Sequence, residues 1–184
     1  MGNALRTAVV STLAVATLVT FNAVAERPDR AQASPWQRVE QQGGTSFIEM
    51  EFSRPGVRGR QVYGTDLVPY DGRVWRAGAN ARTSITFEDD VTINGKPLKA
   101  GTYAILILAT EKEWTFIFSK NFMSHGADGY DEKNDALRVT ATPQAAEHEE
   151  FMVYEFTNLT SDSVQLNLHW EKIRCGVEVK LAGE

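Results

Sequence analysis

Apolar and polar side chains alternate most regularly in residues 82–109, which read RTSITFEDDVTINGKPLKAGTYAILILA. Ile85 and Phe87 face one way and their polar neighbours the other, which is the pattern of a half-buried strand. Asn94-Gly95 predicts a tight hairpin, because both residues tolerate the positive φ that its turn requires. This stretch therefore predicts short strands joined by turns.

Strand signals continue to the end of this stretch and on both sides of it. Residues 102–109 are apolar on both faces, as in a strand at the centre of a sheet. Further alternating or apolar runs lie at 48–52, 114–119, 136–141, 151–159, 163–171 and 177–181. About nine short strands separated by turn residues, with no long amphipathic helix, predict a single all-β domain of the β-sandwich or jelly-roll class.

Residues 1–25 have the features of a signal peptide. Arg6 precedes an uncharged run that ends at Ala23-Val24-Ala25, and charged residues follow from Glu26. We expect cleavage after residue 25 and an exported protein, periplasmic or secreted, that is soluble and not attached to a membrane. The alternative is a transmembrane anchor, but polar residues dilute a run that is short for a span of ~20 apolar residues.

The remaining chain divides into two parts by composition. Residues 26–44 are polar and contain prolines and paired glycines, so we expect an extended lead-in. Residues 45–184 hold the predicted strands and are long enough to bury a core. Cys175 is the only cysteine, so no intramolecular disulfide forms, and we expect it to be a small apolar residue of a strand.

Charge is unevenly distributed along the chain. The formal net charge of −5 disfavours a nucleic-acid partner held by bulk electrostatics. Acids dominate residues 128–155, whereas residues 54–82 carry only two acids, Asp66 and Asp71. The same segment holds six arginines: Arg54, Arg58, Arg60, Arg73, Arg76 and Arg82.

This arginine-rich segment is the candidate binding site. Prolines and glycines control its backbone, and guanidinium groups suit carboxylates, phosphates and aromatic faces. We expect a pocket for a small anionic or carbohydrate ligand, or an envelope partner, formed by Arg54, Arg60, Tyr70, Arg76 and Asn80. We expect Trp75 to be a buried structural anchor and Arg76 to face the opposite way, because neighbours on an extended segment alternate. In the alternative interpretation, the arginines only pair with acids of the same domain.

Short motifs run through most of the chain: SRP at 53–55, RGR at 58–60, LVPY at 67–70, VWRAGAN at 74–80, NG at 94–95 and AGTY at 100–103. Later pieces lie at 114–118, 129–131, 137–139 and 170–172. In these motifs the chain resembles the DUF2911 family. The resemblance implies an exported bacterial domain of unknown function that spans nearly all of the mature chain, and it supplies no activity.

Catalytic motifs are weak in this sequence. His125, His148 and His169 are far apart and form no ligand pair, so we expect no metal and no cofactor. We expect His169 on the polar, exposed side of its strand. The main function hypothesis is a non-enzymatic binding module. A hydrolytic enzyme using an acid or histidine of the loop 121–135 and a purely structural envelope protein remain alternatives, and the oligomeric state stays open.

Removal of residues 1–25 is testable by intact-mass spectrometry of protein recovered outside the cytoplasm of an expressing bacterium. The mature N-terminus should lie at or within a few residues of Glu26, because the charge, the apolar run and the small-residue end act together. Ala25→Leu should block cleavage, because the peptidase needs a small residue there. A full-length chain retained in the membrane would contradict the prediction.

Overall fold

Strand alternation produces two antiparallel sheets in the computed structural model, which describes residues 33–43, 45–121, 127 and 129–181. The strands of these residues are β1 (Trp36–Gly43), β2 (Ser46–Ser53), β3 (Ser84–Phe87), β4 (Val91–Ile93), β5 (Lys96–Leu98), β6 (Gly101–Ala109), β7 (Trp114–Ser119), β8 (Asp135–Ala141), β9 (Gln144–Thr157) and β10 (Ser163–Leu181). A 3-10 turn, Glu132–Asn134, precedes β8.

The strands form one sheet of six in the order β1-β2-β3-β6-β7-β8 and one of four in the order β5-β4-β10-β9. The part of the chain that the structure describes is one compact unit. The predicted single-domain, all-β fold is therefore confirmed. The expected signal peptide, residues 1–25, lies outside the described residues.

The core contains the apolar side chains that the alternation predicted. Ile48, Met50 and Phe52 of β2 are 0%, 0% and 1% exposed. Met50 lies opposite Ile85 of β3 in the antiparallel register. Burial of one such side chain stabilises the fold by about 1.5–3 kcal/mol, so these strands are held mainly by their inward faces.

The predicted hairpin at Asn94-Gly95 is confirmed. Asn94 has φ 47° and Gly95 φ 76°, and Ile93 pairs with Lys96 across the turn. The Asn94 N–H donates to the Glu178 carbonyl at 2.9 Å, and Asn94 Oδ1 accepts from the Glu178 N–H at 2.8 Å. These two bonds fix the hairpin against β10.

The segment expected as a lead-in contains a strand of its own. β1 pairs with β2 along its whole length, from Trp36 opposite Ser53 to Gly43 opposite Ser46. Its side chains alternate between exposed and half-buried, and β1 lies at the edge of the six-stranded sheet. Its polar composition hid this strand, because an edge strand needs few buried apolar side chains.

β10 doubles back on itself. Its 19 residues would extend about 60 Å if straight. Instead, the Leu181 N–H donates to the carbonyl of Asp162, which immediately precedes the strand, at 2.8 Å. The reversal is centred on Glu171, which has φ 53°, and the pairing with β9 shifts register on both sides of it. Trp170 is therefore buried at the reversal.

The connection between β2 and β3, residues 54–83, contains no strand, but backbone pairs hold it at both ends. Gly56 forms an isolated bridge with Phe151 of β9. Trp75 forms another with Ile107 of β6, with N–H to O distances of 2.8 and 2.9 Å. The arginine-rich segment is thus attached to both sheets, and its order does not depend on regular structure.

Gly176→Ala should lower the free energy of unfolding by about 1–3 kcal/mol. An added Cβ would collide with the Leu166 carbonyl oxygen and Asn167 Oδ1, where the two arms of β10 meet. Urea denaturation followed by far-ultraviolet circular dichroism measures the loss. Glu178→Ala, at an exposed position of the same strand, is the control and should change stability by less than about 0.5 kcal/mol. Equal stability of the two variants would contradict this account of β10.

Candidate functional site

An open cleft of about 810 Å³ lies against the connection between β2 and β3. Its walls come from residues 33–34, from parts of 55–80, from Ala127 and Tyr130, and its floor includes Trp170. Cavities of about 300–1,000 Å³ are the usual size for small-molecule sites. The cleft is therefore large enough for a ligand of several rings.

An aromatic cluster forms the base of the cleft. Trp75 is 5% exposed and stacks on Trp170, with ring centroids 6.2 Å apart and planes 16° apart. Trp114 meets Trp75 edge-to-face at 6.3 Å and 81°. Tyr63 contacts Trp170 at 6.5 Å and donates from its hydroxyl to the Trp170 carbonyl at 2.8 Å. Such ring pairs add about 0.5–1.5 kcal/mol each to the area they bury, so the base is rigid.

The backbone after Trp75 is held in an unusual conformation. Ala77 is fully buried and has φ 51°, which side chains other than glycine rarely adopt. Its carbonyl accepts two hydrogen bonds, from Thr83 Oγ1 at 2.8 Å and from the Tyr154 hydroxyl at 3.0 Å. These bonds compensate for the strain. Trp75 is buried and Arg76 is exposed, which is the alternation expected from an extended segment.

Arg76 differs from the other arginines of the cleft in its lack of a bonded partner among the described residues. Its side chain lines the cleft and is exposed. Among the residues that the structure describes, it has neither a hydrogen-bond partner nor an ion-pair partner. Its guanidinium group therefore keeps all five N–H donors for a ligand.

Two of the other three arginines on this wall are fixed by carbonyl groups. Arg60 donates from Nη2 to the Gly56 carbonyl at 2.6 Å and from Nε to the Val57 carbonyl at 3.1 Å. Arg58 donates to the Ala33 carbonyl. Carbonyl groups orient these side chains and leave their positive charge uncompensated. Both arginines line the cleft.

Arg73, in contrast, is paired with carboxylate groups. Its Nη2 lies 2.9 Å from Asp66 Oδ1, and its Nε lies 2.8 Å from Asp71 Oδ2. Asp66 is the only carboxylate among the described residues of the cleft wall. Arg73 lowers the pKa of Asp71, first because its backbone N–H and then because its side chain donates to the carboxylate. Arg73 thus forms an ion-pair network at the rim.

Asn80 connects the segment to the start of the described chain. It has φ 57°, and its Nδ2 donates to the Ser34 carbonyl at 3.2 Å. Its side chain is exposed at the cleft wall. Among the predicted ligand-binding residues, the structure therefore brings Arg60, Arg76 and Asn80 to one cleft.

Two of the predicted ligand-binding residues lie elsewhere. Arg54 does not line the cleft; its Nε donates to the Met152 carbonyl at 2.9 Å, and its Nη2 lies 3.6 Å from Glu149. Tyr70 stacks on Tyr63 at 6.3 Å and lines a smaller neighbouring depression. Arg54 thus ties the connection to β9, and Tyr70 supports the aromatic cluster from outside.

Sequence reasoning did not select Tyr130, which lines the cleft. Its hydroxyl donates to Asp135 Oδ2 at 2.6 Å, and Arg138 Nε donates to the same oxygen at 2.7 Å. Burial and then the bond to Asp135 raise the pKa of Tyr130 to about 12. Tyr130 is therefore a neutral polar group at this wall. The GYD motif at 129–131 contains Tyr130 and the LRV motif at 137–139 contains Arg138, so these motifs were a usable signal for this cluster.

The expectation that His169 is exposed is wrong. It is 7% exposed, and its Nε2 lies 2.8 Å from the Glu147 carbonyl oxygen. The doubling back of β10 covers the polar face of its first arm, which a sequence pattern does not reveal.

Burial raises the pKa of the Cys175 thiol to about 12, so the thiol stays protonated. The described residues hold no cluster of three His, Cys, Asp or Glu side chains suited to a metal ion.

These features define a two-sheet β protein with an arginine-lined cleft over an aromatic base. Residues 34–179 match a family described as protein of unknown function, DUF2911, and the chain belongs to this family. The match confirms the resemblance seen in the short motifs. No curated protein and no solved structure matches the chain. In the described parts of the chain, no helix is long and apolar enough to cross a membrane.

Trp75→Ala should lower the free energy of unfolding by about 3–5 kcal/mol, because it removes a buried ring from the aromatic cluster. Urea denaturation followed by far-ultraviolet circular dichroism gives the value. Trp36→Ala is the matched control and should cost less than about 1 kcal/mol, since that ring is 60% exposed. Similar losses in both variants would contradict the anchor role of Trp75.

Proposed function

We propose that this protein is an exported, non-enzymatic binding module whose cleft takes a small anionic ligand. The observation that supports this most directly is Arg76, an exposed guanidinium on the cleft wall that has no bonded partner among the described residues. A planar guanidinium fork binds a carboxylate or phosphate through two parallel hydrogen bonds. The ligand's anionic group would therefore sit on Arg76.

The charge balance of the cleft supports the same proposal. Arg58, Arg60, Arg73 and Arg76 line it, against the single carboxylate of Asp66 among the described wall residues. Arg58 and Arg60 are held by carbonyl groups, so their charge adds to the field at Arg76. A positive cleft in a chain of net charge −5 concentrates anions locally.

Binding is favoured over hydrolysis by the groups that the cleft offers. Asp66 is held by Arg73 at 2.9 Å and its side chain is 94% exposed. The raised pKa of Tyr130 keeps its hydroxyl protonated. Neither described histidine, His148 or His169, lines the cleft. The hydrolase hypothesis rests on the loop 121–135, of which residues 122–126 and 128 lie outside the described chain.

The purely structural hypothesis describes only some of the arginines. Arg54 fits it, because Arg54 binds carbonyls of β9. Arg82 fits it as well, since it is 6% exposed, donates to the Asn121 carbonyl and has a pKa lowered by burial. Arg76 has no such role within the described residues.

Export is proposed on the signal-like sequence of residues 1–25.

A thermal-shift assay at low salt tests the proposal with inorganic phosphate, glucuronate and uncharged glucose. A ligand at a hundredfold its dissociation constant adds about 2.7 kcal/mol, which should raise Tm by roughly 5–10 °C in a domain of this size. The anion should produce this rise in the wild-type protein, and Arg76→Gln should abolish it without lowering Tm in buffer alone.

Arg38→Gln is the matched control for this experiment. It removes the same charge from an arginine outside the cleft that pairs with Glu40 and Glu49. Its response to anions should equal that of the wild-type protein. No response to either anion in the wild-type protein, or an equal response in Arg76→Gln, would refute the proposal.

A further inference from the structure

A second depression of about 520 Å³ adjoins the cleft. It is lined by Ala33, Ser34, Trp36, Ser53 and Asn80, and three of these residues also line the cleft: Ala33, Ser34 and Asn80. The two depressions therefore share one wall, with Arg76 lining one and Trp36 lining the other. We call the two depressions together the groove.

Trp36 is the most exposed of the large apolar side chains in the described residues, at 60%. Its backbone is nevertheless fixed. Trp36 pairs with Ser53 in the ladder between β1 and β2, and the Arg54 N–H donates to the Pro35 carbonyl at 2.9 Å. Leaving such a ring in water forgoes the stabilisation that burial of its apolar surface would contribute. A fixed but uncovered ring is a ready platform for a ligand.

Asn80 lies at the junction between the two parts of the groove. Its Nδ2 donates to the Ser34 carbonyl at 3.2 Å, which orients the amide. Within the described chain its Oδ1 accepts no hydrogen bond. The junction therefore offers an oriented acceptor suited to a hydroxyl group.

We infer that the groove binds an acidic oligosaccharide, with a sugar carboxylate on Arg76 and the apolar face of another sugar ring on Trp36. This inference rests on the proposed function and names its ligand class. A pyranose ring presents C–H groups on its faces and hydroxyls at its edge, so it suits an aromatic ring below and an amide acceptor beside it. The two adjoining depressions offer positions for successive rings of such a chain.

The bonding of the arginines indicates where a sugar carboxylate would bind in the groove. Arg58 and Arg60 are bonded to carbonyls, and Arg73 is paired with Asp66 and Asp71. This leaves Arg76 as the guanidinium without a partner among the described wall residues. A sugar carboxylate would occupy the Arg76 fork through two parallel hydrogen bonds, and a phosphate at the same position is the alternative that uridine monophosphate tests.

The experiment is a calorimetric titration with galacturonate, tetragalacturonate, uncharged cellotetraose and uridine monophosphate. Tetragalacturonate should bind at least tenfold more tightly than galacturonate, because only the chain reaches both Arg76 and Trp36. Trp36→Ala should weaken the tetramer about tenfold and leave galacturonate unchanged. Arg76→Gln should weaken both acids at least tenfold, and cellotetraose should bind at least tenfold more weakly than tetragalacturonate.

Phe47→Ala is the control for loss of an exposed aromatic ring. Phe47 is 46% exposed, lies at the other end of the β1–β2 ladder, opposite Gln42, and adjoins Glu40, Glu49 and Glu88. It should leave every affinity unchanged. Circular dichroism of each variant checks that the fold is retained. We expect the fold to be retained in Trp36→Ala and Phe47→Ala, because both side chains are exposed.

The outcomes separate this inference from the function on which it rests. If both acids bind through Arg76 but chain length and Trp36→Ala make no difference, the saccharide inference fails and the anion-binding function stands. If neither acid nor uridine monophosphate binds, both fail. If uridine monophosphate binds more tightly than the acids and Trp36→Ala weakens it, a nucleotide site replaces the saccharide site.

Discussion

The stacking of Trp75 on Trp170 is the contact on which the cleft depends. Trp170 is buried where β10 reverses, and Trp75 is bonded through its backbone to Ile107 of β6. One contact therefore joins the four-stranded sheet, the six-stranded sheet and the long connection between β2 and β3. Because Arg76 follows Trp75 directly, the burial of its neighbour sets the position of its backbone on the cleft wall.

Backbone strain is concentrated around the same cleft. Arg58, Ala77 and Asn80 all have positive φ, and Glu171, with φ 53°, follows Trp170. Conformations of this kind cost about 1–3 kcal/mol each and persist only when surrounding bonds hold them. Here the bonds are those to the Ala77 carbonyl and from Asn80 to Ser34. These bonds hold the arginine-bearing connection in place beside the cleft.

Sequence patterns predicted most of the fold, because strand alternation and hairpin chemistry are local. The buried face of β2 and the turn at Asn94-Gly95 were predicted residue by residue, whereas β1 was missed because its edge position needs few apolar side chains. Within the site, Arg60, Arg76 and Asn80 were predicted and lie in one cleft. Arg54 lies outside the cleft because its partners are in β9, a distant part of the chain. Tyr70 was expected in the cleft, and Trp36 and Tyr130 were not selected, because which side chains line a cleft depends on how distant segments pack together.

The bridge between Gly56 and Phe151 has a consequence for how the protein reaches its native state. The arginine-bearing connection leaves the ribosome before β9 and β10 have been synthesised. Trp170, which lies at the base of the cleft, is therefore absent until nearly the whole chain has been made. Closing such a long loop carries an entropic cost, and folds dominated by distant pairings fold slowly, in about milliseconds to seconds. Formation of the cleft is thereby restricted to nearly complete chains, since a nascent or truncated chain that ends before residue 170 lacks Trp170 to support it.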